Sequence, residues 1–178
     1  MFEGGTIEPL DTKRHDRTSF ASGVAQVDNY LHKTANKLAK ADNVRVFVLV
    51  SPQGDLVGYY ALNAHGVEHS ELPSAFARDR PGHGVIPAMF IAMMGVDARW
   101  QGQGLGGLLL ADALKRVRRI SEDAGVALVL LDVLDCGNPT NVERRAAVYK
   151  RFGFQALPGK ARRLFLPVSM LRQLPVDR

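Results

Sequence analysis

The sequence holds a single cysteine, Cys136, among 178 residues, which excludes an intramolecular disulfide and leaves no thiolate set for a metal cluster. Long apolar runs are missing as well. The stretch 126–134 is broken by Asp132 and falls far short of a bilayer span. The opening segment carries Glu3, Glu8, Asp11, Lys13, Arg14, Asp16 and Arg17, so no signal-peptide apolar core can be drawn there. These absences predict a cytoplasmic protein with no membrane partner. There is no Walker-type Gly-Lys-Ser/Thr, no internal repeat and no low-complexity linker. His65 and His69 bracket Glu68, but Gly66 and a strand-like context argue against a helical metal pair, so no metal is expected. No histidine is placed beside Cys136 by the pattern, and an inert thiol is the expectation.

What is present fits one domain over residues 1–178, since 46% hydrophobic residues supply a full core at this length. A net charge of +5 and a pI of about 9.6 favour anionic partners such as a nucleotide cofactor, RNA or an acidic protein surface; ordinary solvated surface is the alternative. Val27, Leu31 and Leu38, with Tyr30, recur at helical spacing and predict a helix over 24–40 that carries Lys33, Lys37 and Lys40 on one exposed stripe. Residues 44–50 and 56–62 flank Ser51-Pro52-Gln53-Gly54 and read as a hairpin. From 72 to 84, prolines and glycines imply a loop with one short helical turn at most. The run 86–96 is nearly all apolar and suits a central strand buried on both faces. Leu109, Ala113, Val117 and Ile120 mark a helix from 105 that Gly125 stops. A strand over 126–134, a helix over 141–151 ended by Gly153, and a last strand over 164–168 follow. The order predicts an α/β domain built on one mixed sheet.

Between the central strand and the long helix lies Gln101-Gly102-Gln103-Gly104-Leu105-Gly106. Missing side chains let a ligand approach the backbone, and the amides opening a helix suit a pyrophosphate. The alternative is a tight connection that binds nothing. Gly102, Gly104 and Gly107 also satisfy a dinucleotide fingerprint, in which the first glycine follows its strand directly and an acidic residue ends the next strand about 20 positions on. Here residues 97–101 intervene and Asp132 comes late, so that reading loses ground.

Gln101, Gly104 and Gly106, followed later by Tyr149 and Gly153-Phe154, resemble the fingerprint of the GNAT acetyltransferase superfamily. The resemblance implies a GNAT fold, a mixed and mostly antiparallel central sheet with splayed strands flanked by helices, and acetyl-coenzyme A as acyl donor. It places the pantetheine arm along Met94, Gly95 and Val96 in the manner of an added strand. The pyrophosphate falls to Gln101, Gly102, Gln103, Gly104, Leu105 and Gly106. Tyr149 becomes the acid that protonates the departing thiolate, with a buried core tyrosine as its alternative. Val142 stands where many relatives carry Asn. A narrower set of matches, Phe20-Ala21-Ser22-Gly23, Val27-Asp28-Asn29-Tyr30-Leu31, residues 57–62, Leu72-Pro73 and Val96-Asp97, is similar to the GNAT toxins of type II toxin-antitoxin systems. Ser22 and Met93 stand where those toxins usually carry Cys and Arg. This likeness implies the α-amine of aminoacyl-tRNA as acceptor and a ribbon-helix-helix antitoxin as partner, and it leaves a homodimer open.

Acceptor chemistry separates the alternatives. An α-amine titrates at about 8, and an ester neighbour lowers it, so Tyr149 suffices without a dedicated base. A lysine or polyamine acceptor, at about 10, would want a carboxylate, for which Glu68, Glu71 and Asp132 are the candidates. An acetyltransferase for a small-molecule or protein amine is thus the second reading, and an inactive coenzyme-binding or antitoxin-binding module the third. For RNA phosphates the candidate contacts are Lys33, Lys37 and Lys40, then Arg78 and Arg80, then Arg162 and Arg163.

Overall fold

The computed structural model describes residues 2–173. Strands β1 (Thr6–Pro9), β2 (Arg45–Val50), β3 (Leu56–Glu68), β4 (Val85–Val96), β5 (Leu128–Asp132), β6 (Gln155–Ala156) and β7 (Arg163–Pro167) form a seven-stranded sheet in the order β1-β2-β3-β4-β5-β7-β6. The pairs β1 with β2, β2 with β3, β5 with β7 and β6 with β7 are antiparallel. Helices are α1 (Ala25–Asn29), α2 (Ala35–Lys40), α3 (Ser74–Ala77), α4 (Leu105–Asp123), α5 (Pro139–Arg151) and α6 (Val168–Leu171). None of them is long and apolar enough to cross a membrane.

Every expected element is present, with shifted edges. The hairpin's second strand runs on from Leu62 to Glu68, and the expected loop carries a single helical turn at α3. The helix over 24–40 is one continuous helical stretch, yet Tyr30–Thr34 is a π-turn between α1 and α2. The cause lies on β3. The buried Tyr59 hydroxyl donates to the Val27 carbonyl at 2.6 Å, the acceptor that an unbroken α-helix would reserve for Leu31. Strands β1 and β6 and helix α6 have no periodicity long enough to predict, and the strands depend on partners in β2 and β7.

The chain divides into two compact units, the first reaching to Asn63 and including Ile91–Ala113, the second comprising Ala64–Phe90 and the described residues from Leu114 onward. The first unit buries Phe20, Val27, Leu31, Val48, Tyr59 and Leu109 among others; of the face expected for the first helix, Val27 and Leu31 are buried and Tyr30 and Leu38 half-buried. The second has its own core of Val67, Leu72, Ile86, Leu128, Leu130, Leu157 and Phe165, against which Phe76 and Phe90 pack.

Candidate active site

The glycine turn is held by a buried carboxylate that the motif reading did not single out. Asp97, 1% exposed, follows β4 directly, and its N–H donates to the Val57 carbonyl at 2.8 Å. Its carboxylate caps the short 3-10 turn Ala98–Trp100 by accepting from the Arg99 N–H, and it also receives the Arg99 guanidinium at 2.9 Å and the Ala21 N–H at 3.0 Å. The Ala98 N–H returns a bond to the Ala21 carbonyl at 2.8 Å. Burial opposes charge on Asp97, but the bonds from Arg99 and from the two amides outweigh it and hold the carboxyl below the ordinary aspartate value. Gln101 completes the clamp. Its side-chain amide donates to the Ser22 carbonyl at 2.8 Å and to the Val96 carbonyl at 2.9 Å. Ser22 in turn is fixed by Asp28, which accepts from its N–H at 2.7 Å and its hydroxyl at 2.6 Å. Two motifs far apart in sequence, around Ser22 and around Gln101, are therefore one structural piece.

Beyond Gln101 the backbone turns through Gly102 and Gly104, both in the left-handed region at φ of 78° and 77°, where glycine is needed whatever binds. Gly106 differs. It is helical, and a Cβ there would meet nothing within 4 Å, so the protein's own packing gives no reason for glycine. Alanine would favour the helix by roughly 1 kcal/mol, so what glycine provides here is a backbone open to approach from outside. The first intrahelical bond of α4 runs from the Leu108 N–H to the Gly104 carbonyl, which leaves the amides of Leu105, Gly106 and Gly107 before it without such a partner. Gln103 faces the chain start, where its side-chain oxygen accepts from the Phe2 N–H at 2.6 Å. Open glycines and unspent amides at a helix start fit a pyrophosphate. Met94, Gly95 and Val96 are half-buried at the end of β4, and Gly95 has no room for a side chain, since a Cβ would lie 2.3 Å from Cγ1 of Val27.

In the second unit Tyr149 lies on α5, which Asn138 caps by accepting from the Asn141 N–H and Pro139 opens. The helix closes at Gly153, whose φ of 95° turns the chain so that the Phe154 ring meets the Tyr149 ring edge-on at 6.2 Å. Burial raises the Tyr149 hydroxyl above the ordinary tyrosine value, and the Arg145 cation works the other way. The phenol thus keeps its proton at neutral pH, as an acid must. Cys136, expected to be an inert thiol, has no histidine contact among the described residues but does meet Arg145. Arg145 donates to its sulfur at 2.9 Å; burial opposes the thiolate, but this bond and the Asn138 amide bring the thiol below its usual range.

Cationic candidates fall into three groups. Lys33, Lys37, Lys40 and Arg78 are exposed and enter no ion pair among the described residues. Arg162 is paired with Asp135 at 2.7 Å, and Arg163 grips Asp132 through two bonds of 2.8 Å while lying over the Phe90 ring. Arg80 is half-buried over the Phe76 ring. The three base candidates are equally engaged. Asp132 has Arg163, while Glu68 and Glu71 form a reciprocal cap and Glu71 also meets Lys160 at 3.2 Å. Burial opposes the Glu71 charge, yet Lys160 and the cap hold its carboxyl below the usual range. His65 lies tilted against the Phe90 ring and His69 bonds the Ala77 carbonyl; among the described residues no group of three potential ligands could hold a metal.

The open amides ahead of α4 and the tyrosine on α5 are each features suited to an enzyme that transfers an acyl group from a nucleotide-like donor. The family defined as the acetyltransferase (GNAT) domain matches residues 42–156, and the chain belongs to that family. It is 51% identical over 169 residues to "Probable toxin TacT" of Sinorhizobium fredii, covering 94% of this chain and 93% of that protein. It is 32% identical to a tRNA-acetylating toxin of Mycobacterium tuberculosis, covering 91% and 92%. A crystal structure of a tyrosine-to-phenylalanine mutant of KacT superposes with a TM-score of 0.84 at 26% identity, over 95% of this chain and 98% of that one.

Proposed function

We propose that this acetyltransferase moves acetyl from acetyl-coenzyme A to the α-amine of aminoacyl-tRNA and acts as a translation-blocking toxin. One observation carries the choice of acceptor: the carboxylates that could serve as a base, Glu68, Glu71 and Asp132, are each held by a cap or an ion pair. An amine that is already neutral needs none of them. The α-amine of an aminoacyl ester, below about 8, is such an amine, whereas a lysine or polyamine is protonated at neutral pH. The names of the TacT relative and of the tRNA-acetylating toxin support the same reading.

Tyr149 is the acid. The neutral amine attacks the acetyl carbonyl, the C–S bond breaks, and the leaving thiolate takes the Tyr149 proton. The phenolate recovers a proton from the nitrogen that has become an amide. The amides of Leu105, Gly106 and Gly107 hold the donor's pyrophosphate, with Met94, Gly95 and Val96 along its arm. Exposed Lys33, Lys37, Lys40 and Arg78 are the better-placed phosphate contacts, because the charges of Arg162 and Arg163 are already matched. A single-domain enzyme over residues 1–178, working in the cytoplasm, with a ribbon-helix-helix antitoxin as its partner and a homodimer as its state, completes the proposal.

Labelled acetyl-coenzyme A incubated with charged tRNA, uncharged tRNA and polyamines tests it. Label on charged tRNA alone is expected, and label on polyamines alone would overturn the acceptor. Tyr149→Phe is expected to lower turnover by roughly 100-fold with little change in the KM for acetyl-coenzyme A. Expression without a partner protein should arrest growth.

A further inference from the structure

Helix α5 is exposed along most of its surface, and its sheltered face consists of Val142, Arg145, Ala146 and Tyr149. That spacing of three and four residues puts the Arg145 and Tyr149 side chains one above the other on the same face. An arginine on an inward face ordinarily meets a carboxylate, because a half-buried cation needs a partner. Among the described residues Arg145 meets none. Its guanidinium instead donates to the Cys136 sulfur at 2.9 Å, in the loop that leads into α5. A thiol is a weak acceptor, so while Cys136 stays protonated this contact fixes the position of the cation and leaves its charge unmatched. The arrangement leaves a fixed positive charge one turn from a half-buried phenol.

We propose that Arg145 is a positioning residue for Tyr149: pinned by Cys136, its cation stabilises the negative charge that the phenol oxygen acquires when its proton passes to the leaving thiolate. The inference rests on the acid role given to Tyr149 above. Burial alone makes the phenol a reluctant donor, and the Arg145 charge offsets part of that reluctance. The proton balance of the reaction is unchanged, since Arg145 neither gains nor loses one. The charge acts only in the transition state and its aftermath, so it alters kcat and not the binding of either substrate.

A double-mutant cycle with both kinetic constants measured tests this, using Arg145→Gln, Arg145→Lys, Tyr149→Phe and the combination of Arg145→Gln with Tyr149→Phe in the full chain. Arg145→Gln is expected to lower kcat about tenfold with the KM for acetyl-coenzyme A and for charged tRNA unchanged. Arg145→Lys, which keeps the charge, should recover most of that loss. In the Tyr149→Phe background Arg145→Gln should cost nothing further, because no phenolate is left to stabilise. An equal loss in both backgrounds would overturn the inference while leaving the acid role of Tyr149 intact. A raised KM at constant kcat would overturn it by making Arg145 a phosphate contact. Undiminished turnover in Tyr149→Phe alone would remove the acid role and the inference together. Thermal melting of each variant separates these outcomes from loss of fold, and a failure of Arg145→Lys to rescue a folded enzyme would also count against it.

Discussion

Residue by residue, the turn separates glycines that the backbone requires from one whose only proposed reason is the ligand. Gly102 and Gly104 sit at positive φ, and any side chain there strains the chain. Gly106 sits in open space at the first turn of α4. Gly106→Ala is therefore expected to raise stability by about 0.5–1 kcal/mol while weakening acetyl-coenzyme A several-fold, the first read by thermal melting and the second by KM. A turn that bound nothing would show only the gain in stability. Asp97 has the opposite profile. It is buried, charged and bonded to Arg99 and Ala21, so Asp97→Asn is expected to cost about 2 kcal/mol. The sign with pH follows from its lowered titration. A carboxyl depressed in the folded state contributes stability above its unfolded value, near 4, and loses it as pH falls through the folded value. The gap between wild type and Asp97→Asn should accordingly narrow in acid, which urea titrations at neutral pH and near pH 3 would check. The glycines and Tyr149 could be picked out from the sequence, because their spacing is local. Asp97 could be read only as part of a pattern, since what makes it a clamp is Ala21, a residue remote in sequence.

Among the elements, α1 against β4 offers the sharpest test. A Cβ on Gly95 would lie 2.3 Å from Cγ1 of Val27, and a β-branched side chain on a helix has little freedom to turn away. Gly95→Ala is expected to destabilise the protein by about 1–3 kcal/mol, and adding Val27→Ala to recover part of it, as measured by chemical denaturation. Independent additive losses would mean that the two elements do not touch there. The same region shows what periodicity misses. Val27 and Leu31 follow one another at the same spacing in an α-helix and across the onset of the π-turn, so no count of apolar positions could find it. The hydroxyl of Tyr59, brought to the Val27 carbonyl by the sheet, makes the difference. Strand β1 was invisible for a related reason: Thr6–Pro9 is short and finds its hydrogen bonds in β2.

For the molecule as a whole, charge and its placement decide how a polyanion would be met. A net charge of +5 does not distinguish one basic residue from another, but ion pairing does. Replacing Lys33, Lys37 and Lys40 together by Gln is expected to weaken tRNA binding and to reduce the salt slope of log K by roughly two to three units, whereas replacing Arg162 and Arg163 should change it far less, because Asp135 and Asp132 already balance them. Binding measured over a range of salt concentrations checks both, and equal slopes would reverse the assignment. The sequence by itself determined the sheet-and-helix alternation, the glycine turn, the tyrosine helix and the family they define. All of these arise from side-chain periodicity, backbone freedom and short spacings, which are local properties. Only the tertiary structure decided which charges are spent and which are available. It paired Asp132 with Arg163, capped Glu68 with Glu71, closed Asp97 over Ala21 and set Arg145 on Cys136, because an ion pair or a buried bond depends on distance in space, which position along the chain does not reveal.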